Sequence, residues 1–184
     1  MEVLIINNYK GKIGLKRTRK IKELFLKCGF RDFKILNFEK VREEHIKRSE
    51  LVVLSGYESG CIGDYLELSK KVRKAKRAIG ICGGMYIIAL AFHVLPKSLP
   101  KRRKGFNKIE FKKRTFLVYH NHILYLPEER LKKFEILGRS RFLRMKIPEI
   151  IRKNKFIGLQ FHPELSGADG LNIIKEILFY YLKT

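Results

Sequence analysis

Apolar residues along the first half of the chain fall in short runs, each closed by glycine or polar residues. Residues 3–6 read as a first strand, followed by Asn7 and Asn8. Ile21, Leu24, Phe25 and Cys28 then recur at i, i+3, i+4 and i+7, the repeat of one helix face, and Gly29 is a natural stop. Residues 33–36 and Leu51–Leu54 read as second and third strands, the latter ended by Ser55 and Gly56. Residues 65–73 read as a helix with Leu66 and Val72 on its buried side. Ala78–Ile81 forms a fourth strand that runs straight into an apolar helix from Met85 to about Phe92. This alternation implies a mostly parallel sheet with helices on both faces.

The middle of the chain changes character. Residues 107–111, 115–119 and 134–137 look like short strands at hairpin spacing, so an antiparallel extension is expected. Residues 156–161 return as a buried strand that delivers His162 at its carboxyl end. A helix over residues 169–183 closes the chain, its apolar side made by Leu171, Ile174, Ile177, Leu178 and Tyr181. The expected fold class is therefore α/β, one domain over residues 1–184. It has an open, mostly parallel sheet, flanking helices and a small antiparallel section. No repeat, linker or low-complexity segment interrupts it.

Composition narrows the picture. The chain has 184 residues, 45% of them hydrophobic, enough for one sizeable core. No apolar stretch reaches the roughly 18 residues of a membrane span. The start, Met-Glu-Val-Leu-Ile-Ile-Asn-Asn, makes a poor signal peptide and a good strand. Cys28, Cys61 and Cys82 include no C-x-x-C pair, which points to a reducing, cytoplasmic location. Forty-one Lys and Arg against 18 Asp and Glu leave a net charge of +23. The cations cluster at residues 16–22, 70–77 and 101–104, read as solvated helix faces and one basic loop. Such a charge also fits an electrostatic partner, an acidic protein surface or a nucleic acid. No nucleic-acid motif appears, and no basic cluster is interleaved with stacking aromatics.

The chemistry concentrates in two short segments. Gly80, Cys82 and Gly84 spell G-x-C-x-G at a strand-to-helix junction, the thiol form of a nucleophile elbow. There the thiol meets a helix N-terminus, whose free N–H groups favour negative charge on sulfur. His162 and Glu164 follow 80 residues later, so only a fold can bring them to Cys82. His162 can take the thiol proton, and Glu164 can orient its other ring nitrogen. An attack on a carbonyl then needs two N–H donors for the oxyanion. Gly83 supplies one and the Ser55-Gly56-Tyr57 turn the other. Ser55-Gly56-Tyr57, Cys82 and His162 all lie just past strand ends, the rim where open parallel sheets bind ligands.

With these residues in place, the chain resembles the class I glutamine amidotransferases, which carry a G-x-C-x-G-x-Q elbow and a G-x-Q-F-H-P-E segment. Here the two read Gly80-Ile81-Cys82-Gly83-Gly84-Met85-Tyr86 and Gly158-Leu159-Gln160-Phe161-His162-Pro163-Glu164. The family's L-S-G-G turn has its counterpart in Leu54-Ser55-Gly56-Tyr57, and the glycine before the final helix in Gly170. The resemblance implies Cys82 as nucleophile, His162 as base and Glu164 as orienting acid. It also implies the N–H groups of Tyr57 and Gly83 as oxyanion donors, and Gly56, Tyr86, Asn121 and His122 at the substrate. The implied reaction is hydrolysis of glutamine to glutamate and ammonia through a thioester. No cofactor and no metal is required, and the ammonia goes to a separate synthetase subunit.

The departures from the pattern bear on the substrate. Tyr86 stands where the family has the glutamine that helps to hold the substrate; its hydroxyl can still hydrogen-bond, but its ring reshapes the pocket. Tyr57 replaces the second glycine of L-S-G-G, which constrains its amide if φ must be positive. In Tyr119-His120-Asn121-His122, alternation puts both histidines on one face of a strand, as for two metal ligands, but no third ligand has suitable spacing. The stretch is instead similar to a substrate-side segment of the family. Phe134-Glu135-Ile136-Leu137-Gly138-Arg139-Ser140 leans the resemblance towards the glutaminase subunit of GMP synthetase. Two alternatives stand beside the glutaminase: a Cys-His hydrolase of another γ-glutamyl or peptide amide, and a non-catalytic module that binds a partner or nucleic acid.

Overall fold

The computed structural model describes residues 1–9, 12–57 and 62–182, with residues 12 and 13 described by their backbone only. Cys61 lies outside the described residues. The parallel strands are β1 (Glu2–Asn7), β2 (Asp32–Asn37), β3 (Leu51–Leu54), β4 (Ala78–Ile81) and β9 (Phe156–Leu159). The antiparallel ones are β5 (Lys97–Phe111), β6 (Arg114–Tyr125), β7 (Glu135–Phe142) and β8 (Met145–Lys153). Together they form one nine-stranded sheet in the order β2-β1-β3-β4-β9-β8-β7-β5-β6.

Among the described residues, five α-helices cover the parallel half: α1 (Lys12–Lys27), α2 (Glu43–Arg48), α3 (Leu66–Val72), α4 (Gly83–Ala91) and α5 (Gly167–Ile177). On one face, Ile21 and Phe25 of α1 and Ile173, Ile174 and Ile177 of α5 pack over Val3, Ile5, Val53, Ile79 and Ile157. On the other, Ile46, Leu68, Val72, Met85 and Ile88 pack over Leu4, Ile6, Val52, Leu54 and Ala78. Strands covered on both sides need apolar residues at every position, which is why β3, β4 and β9 read as unbroken runs. The expected α/β class, with an open sheet and helices on both faces, describes this architecture.

Several local expectations change. Leu66 is exposed at the start of α3, and Leu68 joins Val72 on the buried side. The helix before it begins as a 3-10 turn at Ile62–Tyr65, which rotates Leu66 outward. Residues 101–104 are not a loop but the middle of β5, where Arg103 is buried while Lys101, Arg102 and Lys104 face out. β5 and β6 are far longer than their apolar segments. The last helix stops at Ile177 and widens into a π turn over Leu178–Leu182. α2 and β8 carry no counterpart in the sequence expectation. β8 supplies the strand that joins the parallel half to the antiparallel half.

Candidate active site

β4 ends at Ile81 and α4 starts at Gly83, so Cys82 alone makes the turn. Its φ of 51° and ψ of −107° place a residue with a Cβ in a strained region, a cost of about 1–3 kcal/mol. The surroundings hold it there. The Cys82 N–H donates to the Leu159 carbonyl at 2.6 Å, and the Met85 N–H donates to the Cys82 carbonyl at 3.0 Å. A Cβ on Gly84 would strike the Leu54 carbonyl, and one on Gly83 would lie 2.7 Å from the Tyr57 nitrogen and inside its ring. Only glycines let α4 begin this close to the turn after β3. That closeness sets the Tyr57 amide and Gly83 beside each other at the thiol.

His162 arrives from β9, three residues past its end. Its N–H donates to the Tyr119 carbonyl at 2.8 Å, and the Ser166 hydroxyl donates to its carbonyl at 2.6 Å. Ring Nδ1 meets Glu164 Oε1 at 2.8 Å, which leaves Nε2 for the hydrogen bond between the ring and the Cys82 sulfur. His162 and Glu164 are buried. Burial alone would push the ring's pKa down; the Glu164 carboxylate and the Cys82 sulfur outweigh it and raise it to about 10. The fold thus assembles a buried thiol, imidazole and carboxylate from two distant segments.

Cys82 opens into a cavity of about 270 Å³ whose wall includes Gly83, Tyr57, Tyr86, Asn121, His122 and His162. Gly56 is not part of that wall; it packs behind it, where a Cβ would sit 2.6 Å from the Tyr9 hydroxyl oxygen and 3.4 Å from His162 Cε1. Tyr86 reaches the wall, but its hydroxyl is engaged with the protein. It donates to the Leu124 carbonyl at 2.5 Å and accepts from Gln160 Nε2 at 2.6 Å. Burial, and then the nearby Cys82, raise its pKa well above the usual phenol value. Tyr57 needs no positive φ, and its ring stacks on Tyr65 at 4.8 Å. Asn121 Oδ1 accepts from Arg102 Nη1 at 3.2 Å.

The two histidines of β6 share a face, as alternation predicts, yet they turn to different partners. His122 Nδ1 donates to the Leu124 carbonyl at 2.7 Å, and burial, reinforced by His120, pushes its pKa down to about 4. His120 Nε2 meets Glu149 Oε2 at 3.0 Å. Glu149 in turn takes Arg103 Nη1 and the Ser140 hydroxyl on its other oxygen, each at 2.5 Å. Among the described residues no cluster of three metal-ligating side chains forms.

A family model for class-I glutamine amidotransferases matches residues 5–179, nearly the whole assembly just described. The chain belongs to the class-I glutamine amidotransferase family. Among curated relatives, the imidazole glycerol phosphate synthase subunit HisH of Buchnera aphidicola is 32% identical over 57% of this chain, a match that spans about half (53%) of that relative. HisH of Caldanaerobacter subterraneus is 28% identical over 89% of this chain and 93% of its own. Among solved structures, a GMP synthase-type protein from Thermoplasma acidophilum superposes with a TM-score of 0.77 at 18% identity. That alignment covers 97% of this chain and 92% of the other, a likeness of fold.

Five cavity residues escaped the sequence reading: Tyr9, Arg17, Arg102, Ile123 and Leu124. Tyr9 is buried past the end of β1, with the Arg17 guanidinium 5.2 Å from its ring centre. The signal was present, because Asn7-Asn8-Tyr9 follows a strand that ends on the same rim as β3, β4 and β9. Asn8 is built into that rim, its side-chain amide donating to the Ser55 carbonyl at 2.6 Å. Arg102 had no such signal; it depends on β5 running beside β6.

Proposed function

We propose that this amidotransferase hydrolyses glutamine through a thioester on Cys82 and passes the ammonia to a separate synthase subunit. The observation that carries the reading is the His162 ring held between Glu164 Oε1 and the Cys82 sulfur beneath the cavity. With its proton parked on His162, the Cys82 sulfur attacks the carboxamide carbon of glutamine and forms the C–S bond. The carbonyl oxygen takes the negative charge between the N–H groups of Tyr57 and Gly83. Collapse breaks the C–N bond, and His162 gives its proton to the departing nitrogen, which leaves as ammonia. Water then attacks the thioester with His162 as base, the C–S bond breaks, and glutamate and the Cys82 thiol are restored. Glu164 keeps the ring oriented throughout.

Asn121 and His122 are proposed to line the glutamine, with Gly56 behind that wall, and Tyr86 to shape its subsite with its ring rather than to bond it. That change at Tyr86 also favours a second reading, the same chemistry on another γ-glutamyl amide. Two synthases are candidate acceptors. The 134–140 segment leans to the GMP synthetase type, and the curated relatives are subunits of imidazole glycerol phosphate synthase. A cytoplasmic setting accompanies this reading. Among the described residues no helix is long and apolar enough to cross a membrane.

The test is covalent labelling with a glutamine-derived chloroketone, read by mass spectrometry. Labelling at Cys82 that Cys82→Ala abolishes is the expected result, with ammonia release rising when the matching synthase subunit is added. Absence of both labelling and hydrolysis, with either synthase present, sinks the reading.

A further inference from the structure

The sheet parts in its antiparallel half. β5 and β7 pair only at Glu110 with Arg139 and Phe111 with Gly138 among the described residues. Further along, Asn107–Ile109 of β5 and Ser140–Arg141 of β7 face each other without a ladder, and a groove of about 720 Å³ opens between them. Below it the strands are tied through a side chain: Arg103 of β5 donates to Ser140 Oγ at 2.9 Å and to Glu149 Oε1 of β8 at 2.5 Å. That tie is buried and intact, so the gap is part of the fold. Ile109 and Ser140 are buried, so the positions that lack a ladder partner across the gap and remain reachable are Asn107 and Lys108 of β5 and Arg141 of β7.

The wall is cationic. Lys108, Arg139, Arg141 and Lys146 line the groove against one carboxylate, Glu110. Arg139 is paired with Glu128 at 2.6 Å, while Lys108, Arg141 and Lys146 have no ion-pair partner among the described residues. No aromatic side chain lines the groove, so nucleobases would find no stacking surface. A small anion would meet the cations and leave the strand edges unused. An extended peptide meets both, through its backbone on the open edges and its side chains on the lysines and arginines.

We propose that this groove docks an extended acidic segment of a partner protein, whose backbone bonds the unpaired positions of β5 and β7. The site stands apart from the catalytic cavity. Thr115 in the groove and Asn121 at the cavity are six residues apart on β6, about 20 Å along a strand. A docked segment therefore leaves the cavity open, and the proposal holds whatever Cys82 acts upon. It also gives part of the +23 charge a defined use.

The experiment uses a labelled ten-residue peptide of alternating Glu and Val, titrated against the full chain and followed by fluorescence anisotropy. Saturable binding is expected. It should weaken at least tenfold in the Lys108→Glu/Arg141→Glu variant and stay within twofold in Lys20→Glu/Lys27→Glu, which removes equal charge from α1. A peptide of the same charge with proline at two Val positions should bind at least fivefold more weakly, because proline cannot complete a ladder. The proposal is overturned by no saturable binding, by equal binding of the proline peptide, or by equal loss in the α1 variant. It also fails if a twelve-nucleotide single strand or inorganic polyphosphate binds more tightly than the peptide. Circular dichroism and chloroketone labelling of Cys82 check that each variant remains folded.

Discussion

Gln160 donates its side-chain N–H to the Tyr86 hydroxyl at 2.6 Å, tying the strand that delivers His162 to the helix that follows Cys82. The same hydroxyl donates to the Leu124 carbonyl, so one phenol links α4, β6 and the segment after β9. Tyr86→Phe removes it, which leaves the Gln160 amide without that buried partner and the Leu124 carbonyl with its His122 bond alone. We expect a loss of about 1–3 kcal/mol in urea unfolding. Cys82 labelling should slow by less than tenfold, because the ring still shapes the cavity. Tyr86→Gln tests the subsite: tighter glutamine binding with unchanged labelling chemistry would mark the ring as the obstacle.

Gly83→Ala probes the proposed oxyanion site. Its methyl would press on the Tyr57 nitrogen and ring, within a turn whose other side is fixed by Leu54. Displacing one donor is expected to lower the rate of glutamine hydrolysis about 10²–10³-fold. The fold should remain, as judged by circular dichroism and an unfolding midpoint close to that of the parent. An unchanged rate would remove the Tyr57 and Gly83 amides from the mechanism.

Acid should destabilise this protein over two pH windows. His122 is neutral when folded, with its pKa held down near 4 by burial and by His120. Between pH 6.5 and 4 the unfolded chain binds the extra proton, so stability falls as pH falls through that window. Glu149 follows. Burial opposes its charge, but His120, Arg103 and Ser140 outweigh this and hold its pKa near 2. Its contribution is fully present above about pH 4.5 and lost as pH falls to 2. Urea midpoints measured from pH 3 to 8 should show both slopes, and His122→Leu should remove the upper one. Arg103→Met, which leaves Glu149 buried with less charge to pair, should cost about 3–5 kcal/mol at neutral pH.

Much of the site was legible in the chain because its signals are local. A cysteine between glycines at a strand-to-helix junction is a statement about backbone geometry, and Cys82 adopts the strained turn that such spacing implies. The strand-end rule also put Ser55, Cys82 and His162 on one rim without any distance information. The β7–β8 hairpin was hidden for equally physical reasons. Its turn is Leu143-Arg144, both at positive φ, where an Asn-Gly pair would have announced it. Pro148 and Glu149 interrupt the apolar run of β8, and the strand accommodates the proline beside a register shift opposite Gly138 and Arg139.

The sequence by itself determined the α/β class and the parallel half, and singled out the thiol, imidazole and carboxylate of the proposed site. Each follows from residue type and short-range spacing, which chain chemistry sets before any long-range contact exists. Only the tertiary structure decided what Tyr86 does, that Tyr9 and Arg17 border the cavity, and that Arg103, His120 and Glu149 form a buried polar network. It alone opened the groove between β5 and β7. Those features depend on strands far apart in sequence becoming neighbours, and on where a buried polar atom finds its partner. No local pattern encodes either.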